Sequence, residues 1–182
     1  MVASVFIRGG SLRHHWLMSD AAVSVRRYEP HDREAVVLLA PRLEFGVAHW
    51  RDAEAVRRAV AGWIDESLAN ADAEDREVLV AQVGEEVVGV VTVAQRRHFT
   101  GEVDAYVGEL VVRAEHERRG VGSLLMHAAE AWARGRGLRH LTLETGAANA
   151  PARAFYARRG YQEEDVRLTK ALGCPPQGSQ VE

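Results

Sequence analysis

The middle of the chain decides the fold class. Val78–Val83 and Val87–Val93 are two runs dominated by valine, joined by Gly84-Glu85. β-Branched residues crowd a helix and fit a pleated strand. A two-residue, glycine-bearing link between two such runs is a hairpin signal. Neither run alternates with polar residues, and strands that are apolar on both faces need cover on both. The centre of this chain therefore predicts a sheet with helices packed above and below it.

The flanks supply those helices. Val23–Glu29 alternates apolar and polar and predicts a first strand. Asp32 follows as an N-cap candidate for a helix to Ala40, with Pro41 as its stop. Asp52 is a second N-cap, ahead of Val56, Val60, Trp63, Ile64 and Leu68 at helical spacing. Residues 69–77 read as an acidic loop. Val103–Val112 predicts a long strand. Gly120–Arg136 predicts a helix with Leu124, Leu125, Ala128 and Trp132 facing inward, stopped by Gly135 and Gly137. His140–Thr145 reads as a strand, Asn149–Arg159 as a helix halted by Gly160, and Glu164–Lys170 as a closing strand. The order β-α-α-β-β-β-α-β-α-β describes an α/β (α+β) chain with a mixed sheet and helices on both faces. The expected domain spans 23–172. Residues 1–22 lack a period and read as a poorly ordered extension, with Met18 a natural alternative start, and 173–182 read as a flexible tail.

Composition narrows the function classes. With 182 residues, 47% hydrophobic and 27% charged, the chain has an ordinary globular make-up. Its one cysteine, Cys174, excludes an intrachain disulfide and lies in the tail, away from any nucleophile role. No apolar stretch approaches the ~20 residues of a membrane span, and no cationic leader precedes the short run Val2–Ile7. The expected location is cytoplasmic. A net charge of −3 disfavours non-specific binding to nucleic acid or an anionic membrane. Eight histidines show no ligand spacing, so no metal is expected. The charge is uneven. Residues 1–100 carry 12 Arg against 15 Asp or Glu, and residues 110–162 carry 9 Arg against 4 Glu. The basic half predicts either an anionic ligand or a solvated basic helix face.

The chemistry lies in Gly108-Glu-Leu-Val-Val-Arg-Ala-Glu-His-Glu-Arg-Arg-Gly-Val-Gly-Ser123. A strand ends near Val112, and a loop with Arg118, Arg119, Gly120 and Gly122 runs into a helix. The first turn of a helix has unpaired N–H groups and a partial positive charge. Glycines let an anion approach that backbone, and two arginines add charge, so the segment is equipped to hold a phosphate or diphosphate. It is not the nucleotide P-loop, because no Gly-Lys occurs. Nor is it the dinucleotide fingerprint, because Leu125 stands where the third glycine belongs.

The segment resembles the acetyl-CoA motif of the Gcn5-related N-acetyltransferase (GNAT) superfamily, usually Gln/Arg-x-x-Gly-x-Gly/Ala after a Leu-x-Val strand. Here it stands as Glu117-Arg-Arg-Gly-Val-Gly122 behind Leu110-Val-Val112, with Glu117 departing from the usual Gln or Arg. A second block, Asn149-Ala-Pro-Ala-Arg-Ala-Phe-Tyr156-Ala-Arg-Arg-Gly-Tyr161, is similar to the family's Asn-x-x-Ala-x-x-Phe-Tyr-x-x-x-Gly-Phe/Tyr pattern. The resemblance in element order covers about residues 23–172. It implies a mixed, mostly antiparallel sheet of six to seven strands, splayed between strands 4 and 5.

The resemblance also implies roles. Leu110, Val111 and Val112 would line the acetyl and pantetheine arm of acetyl-CoA, Arg118, Arg119, Gly120, Val121, Gly122 and Ser123 would hold its pyrophosphate, and Asn149 would bond the pantetheine. Tyr156 matches the acid that reprotonates the thiolate. Two glutamates are open for the base. Glu109 ends the alternating strand on a face shared with Val107 and Val111, and Glu144 ends the next strand. Acceptor contacts are expected from Phe45–Trp50 and Arg96–Thr100. The acids Asp65, Glu66, Asp72, Glu74, Asp75 and Glu77 either attract a cationic acceptor or are solvated surface, and Trp63 and Trp132 fit core faces. Arg153, Arg158 and Arg159 either solvate the last helix or reach the 3′-phosphate. The implied activity is acetyl transfer to a primary amine of a small molecule such as an amino compound, polyamine or aminoglycoside. The alternatives are a protein N-terminus or lysine as acceptor, or a non-catalytic acyl-CoA-binding module. Homodimers are common in this architecture.

Overall fold

The computed structural model describes residues 22–172, so the expected 1–22 extension, all but its last residue, and the 173–182 tail lie outside the described residues. Five strands form one sheet in the order β1-β2-β3-β4-β5: Val23–Arg27, Arg76–Val83, Glu86–Arg97, Val103–Val112 and Leu141–Leu143. The first four pair antiparallel, and β5 is parallel to β4. The β2–β3 hairpin closes at Gly84-Glu85 between Val83 and Glu86, as its sequence predicts.

Both faces of the sheet are covered. On one face helix α3 (Val121–Gly135) sets Val121, Leu125, Met126, Ala129 and Trp132 against Val91, Val93, Ala105 and Val107. On the other, α1 (Arg33–Val37) and α2 (Ala53–Ala69) bring Val36, Val60, Ile64 and Leu68 against Val78, Val80, Val90 and Val111. Helix α4 (Ala150–Arg158) follows β5, and Phe155 packs with the α3 face. Asp52 caps α2 by accepting the Ala55 N–H at 2.7 Å.

Several local expectations need correcting. Asp32 does not cap a helix to Ala40. Its carboxylate takes both Arg26 Nη groups at 2.7 Å and the Glu29 N–H at 2.8 Å. Helix α1 is only five residues long, and Pro41 sits inside a 3₁₀ turn, Ala40–Glu44, rather than ending a helix. Proline is tolerated there because the first turn of a helix leaves its N–H groups unpaired. The α3 stripe is rotated from the expected one, so that Leu124 faces out at 43% exposure. Glu164–Lys170 is irregular, and the sheet has five strands among the described residues rather than six or seven. Val166 and Leu168 stand 75% and 89% exposed. Burial of such a side chain is worth about 1.5–3 kcal/mol. With no apolar surface against them, their alternation has nothing to stabilise a strand.

Candidate active site

Strand β4 carries a bulge that organises the site. Its register against β3 passes from Val91↔Leu110 to Val93↔Val107, so three steps on β4 oppose two on β3. The extra residue turns the chain over. Ala105 and Val107 point to α3, whereas Glu109 reaches the α2 face that Val111 also packs on. Glu109 therefore shares a face with Val111 but not with Val107, contrary to the simple alternation. The cause is visible at Thr92. Its Oγ1 accepts the Glu109 backbone N–H at 3.0 Å, in place of a strand carbonyl, and donates to the Glu109 carboxylate. Gly108 makes room, since a Cβ there would lie 2.9 Å from that Oγ1.

Just beyond the bulge the sheet opens. β4 pairs with β5 only over Ala105–Val107 and Leu141–Leu143, and beyond that it stays paired with β3 alone to Val112. The Glu109 and Arg113 N–H groups are spent toward β3, on Thr92 Oγ1 and the Val88 carbonyl. Strand alternation turns the Leu110 and Val112 N–H groups toward the opening. The splay expected between strands 4 and 5 is present, with two free donors on its β4 wall.

At the top of β4 the loop enters α3. Arg118 has φ 56° and Gly120 φ 85°, and Gly120 N-caps α3 without a side-chain cap. The helix ladder begins with Leu124 N–H to the Gly120 carbonyl at 3.0 Å, leaving Val121, Gly122 and Ser123 with free amides. Consecutive amides in such a turn form an anion-binding concavity. Glu117, the residue that departs from the family motif, is turned away by an ion pair with Arg42. Sequence reasoning missed Arg42, because 75 residues separate the two partners and no local pattern links them.

Around Glu109 a cavity of about 240 Å³ is walled by Trp63 and Ser67 of α2, Glu77 of β2, Thr92 of β3 and Tyr106 of β4. Glu109 is 7% exposed. Its Oε2 accepts from Thr92 and from Ser67 Oγ at 3.0 Å, and no cation pairs with it among the described residues. Burial raises its pKa above the ordinary carboxylate range. The two hydroxyls pull it back down, and the nearby Glu66 charge adds to the rise. Trp63, expected in the core, is instead 49% exposed at the cavity wall, while Trp132 is buried as expected.

The other expected site residues fall as follows. Glu144 is exposed, 3.3 Å from Arg96 and 4.0 Å from Arg167. Arg96 in turn lies over the Tyr106 ring at 4.4 Å. Tyr156 on α4 packs edge-on against Phe155 and Tyr161, and burial pushes its pKa up to about 12. Phe155 touches the space beside Gly122 and so docks α4 against the start of α3. Asn149 caps α4 by accepting the Ala152 N–H at 3.2 Å, and its Nδ2 donates to the Phe45 carbonyl at 3.5 Å. That tie joins two loops that touch backbone to backbone: a Cβ on Gly146 would meet the Gly46 carbonyl oxygen at 2.0 Å. Phe45, Trp50 and Phe99 are exposed at 65%, 58% and 87%. Arg153 bonds Glu163, and Arg159 pairs with Glu130, so only Arg158 of the last-helix arginines makes no side-chain bond among the described residues. Asp65 is tied to Arg33 and Glu77 to Arg27. No group of three His, Cys, Asp or Glu among the described residues is placed to hold a metal, and no helix there is long and apolar enough to cross a membrane.

A mixed sheet splayed beside a bulged strand that leads into a glycine-opened helix is the fold of the N-acetyltransferases. The chain belongs to the acetyltransferase (GNAT) family, whose model matches residues 44–161. It is 35% identical over 92 residues to the aminoalkylphosphonate N-acetyltransferase of Salmonella typhimurium, an alignment covering 48% of this chain and 57% of that protein. The chain thus spans little more than half the length of that relative. Among solved structures it resembles an aminoglycoside N-acetyltransferase in complex with CoA (TM-score 0.64, 16% identity, 84% of this chain and 96% of that one). It also resembles a transcriptional regulator from Bacillus halodurans (TM-score 0.63, 22% identity, 83% and 100%). At these identities the two structures speak for the fold alone.

Proposed function

We propose that the chain is an acetyl-CoA-dependent N-acetyltransferase that passes acetyl directly to a primary amine of a small molecule. The observation that carries this is Glu109: a buried carboxylate without a cation partner, in a cavity beside the open edge of β4. A primary ammonium must lose a proton before it can attack a thioester. A carboxylate whose pKa is raised by burial is suited to take that proton. Glu144, exposed between two arginines, lacks that environment.

The other residues divide the remaining work. The amides of Val121, Gly122 and Ser123, with Arg118, Arg119 and Gly120, hold the diphosphate of the cofactor. Leu110 and Val112 N–H groups pair with the pantetheine arm, Val111 packs beneath it, and a donor on the thioester carbonyl contributes ~3 kcal/mol to the transition state. Asn149 Nδ2 has a second hydrogen left for the pantetheine. Tyr156 enters as a neutral phenol, because burial holds its pKa at about 12; that makes it a weak acid beside a thiolate of pKa ~8.5, so its part is a hydrogen bond that stabilises the departing sulfur, with the proton itself drawn from solvent. The rate gain comes from positioning and carbonyl polarisation within a ternary complex.

The small acceptor is favoured by the curated relative, which acetylates aminoalkylphosphonates by name. A thiol-release screen with acetyl-CoA tests it, offering aminoalkylphosphonates, aminoglycosides, polyamines and peptides. Turnover with a small amine is the expected result. Turnover with peptides alone would reassign the acceptor to protein, and coenzyme A binding without turnover on any amine would leave an acyl-CoA-binding module.

A further inference from the structure

The run Val87–Ala94 carries a single side-chain polar group, the hydroxyl of Thr92, and it is buried at 6% exposure. A buried hydroxyl needs partners, and Thr92 finds both on one residue: it accepts from the Glu109 N–H and donates to Glu109 Oε2. Ser67, from the helix on the opposite wall of the cavity, donates to the same Oε2 at 3.0 Å. Two donors on two elements thus converge on one oxygen. The other, Oε1, has no protein partner among the described residues and is not sealed from solvent. Gly108 is the residue that lets the Thr92 hydroxyl enter the bulge.

We infer that Thr92 and Ser67 are positioning residues that fix Oε2 of Glu109, so that Oε1 alone is presented to the acceptor's ammonium. This rests on the reading of Glu109 as the base. Thr92 ties the carboxylate to the backbone of its own residue, which fixes the side-chain rotamer relative to the splay. Ser67 ties it to α2, the element that also carries Trp63 into the cavity. The charged and titratable groups facing Glu109 come from each wall: Glu66 on α2, Arg76 and Glu77 on β2, and Tyr106 on β4. Glu77 is paired with Arg27 and Arg76 with Asp75. The hydroxyls are therefore the direct contacts on the carboxylate, and the charges around it act from a distance.

The test reads the carboxylate itself. Protein labelled with ¹³C at the glutamate side-chain carboxyls is titrated by NMR, with Glu109→Gln assigning the resonance. A hydroxyl donating to a carboxylate favours its ionised form, so removing it moves the midpoint up. Thr92→Val is expected to raise it by about one pH unit and Ser67→Ala by about half that, while Thr92→Ser restores the wild-type value. With the amine selected by the thiol-release screen, the acid limb of kcat/KM moves by the same amount. The kcat plateau of Thr92→Val falls roughly tenfold, and the Kd for coenzyme A stays put. If Thr92→Val fails to fold, Ser67→Ala carries the test by itself. A Glu109 midpoint unmoved in the folded variants, with Glu109→Gln inactive, overturns the positioning role and leaves the base assignment standing. A fully active Glu109→Gln overturns the base assignment beneath it.

Discussion

Two glutamates belong to neighbouring strands, Glu109 within β4 and Glu144 just past the end of β5, and their surroundings are opposite. Glu109, in the bulge of β4, is buried, bonded by neutral hydroxyls and in no ion pair among the described residues. Glu144, beyond β5, is exposed and flanked by Arg96 and Arg167. A carboxylate deprived of water and countercharge has its ionised form disfavoured and can accept a proton at working pH. One that is exposed with arginines at hand forms surface ion pairs instead. A third carboxylate completes the comparison: Asp32 is as buried as Glu109, yet Arg26 grips it with two Nη groups, and its pKa is lowered rather than raised. Burial alone does not set the direction of the shift; the partner does.

The sharpest way to break this contrast is kinetic. Glu109→Gln is expected to lower kcat/KM by about 10²–10⁴-fold, the usual contribution of a general base, whereas Glu144→Gln stays within roughly fivefold of wild type, an exposed ion pair being worth ~0–1 kcal/mol. Equal losses in the two variants, measured by thiol release, would end the distinction. Asp32→Asn sharpens the contrast from the stability side. It leaves Arg26 without its countercharge and costs roughly 3 kcal/mol at neutral pH. Because hydrogen bonding from Arg26 holds the Asp32 pKa below its ordinary value, the wild-type advantage is present above the ordinary carboxylate range. It is lost as pH falls through the lowered folded-state pKa, so denaturant midpoints of the two proteins converge in acid. The smallest effect has the opposite sign. Burial raises the Glu109 pKa, so the folded state binds that proton more tightly than the unfolded chain does. Wild-type stability then falls as pH rises through the raised value. Glu109→Gln is neutral and of the same shape, and it is expected to melt slightly higher than wild type at pH 7, with the gain vanishing below the ordinary carboxylate range.

What was legible in the sequence follows the range of the interactions. The β2–β3 hairpin, the Asp52 cap and the glycine-opened start of α3 depend on residues within a few positions of one another, and each was readable. So was the loop at 118–123, whose amides are left free by local turns. The β4 bulge was not, because it is imposed by a hydroxyl on the neighbouring strand, 17 residues away, and it reassigns the faces of everything beyond Gly108. Arg42 and Glu117 meet across 75 residues, and nothing near either signals the pair. Trp63 sits at a helical spacing that suits a core, yet it ends at a cavity wall because the polar bulge beneath it leaves space. Glu164–Lys170 alternates as a strand should, but alternation specifies a strand only where a partner surface exists.

The backbone contact between Gly46 and Gly146 has a consequence for how the enzyme can diversify. A methyl group at 146 would land 2.0 Å from a carbonyl oxygen, deep inside van der Waals contact, and Gly46 holds φ 89° with Asn149 pressed against it. Neither position tolerates a side chain, so variation in these two loops falls to their outward-facing neighbours, such as Phe45 and Trp50. A randomised library at 46 and 146 would return glycine at both.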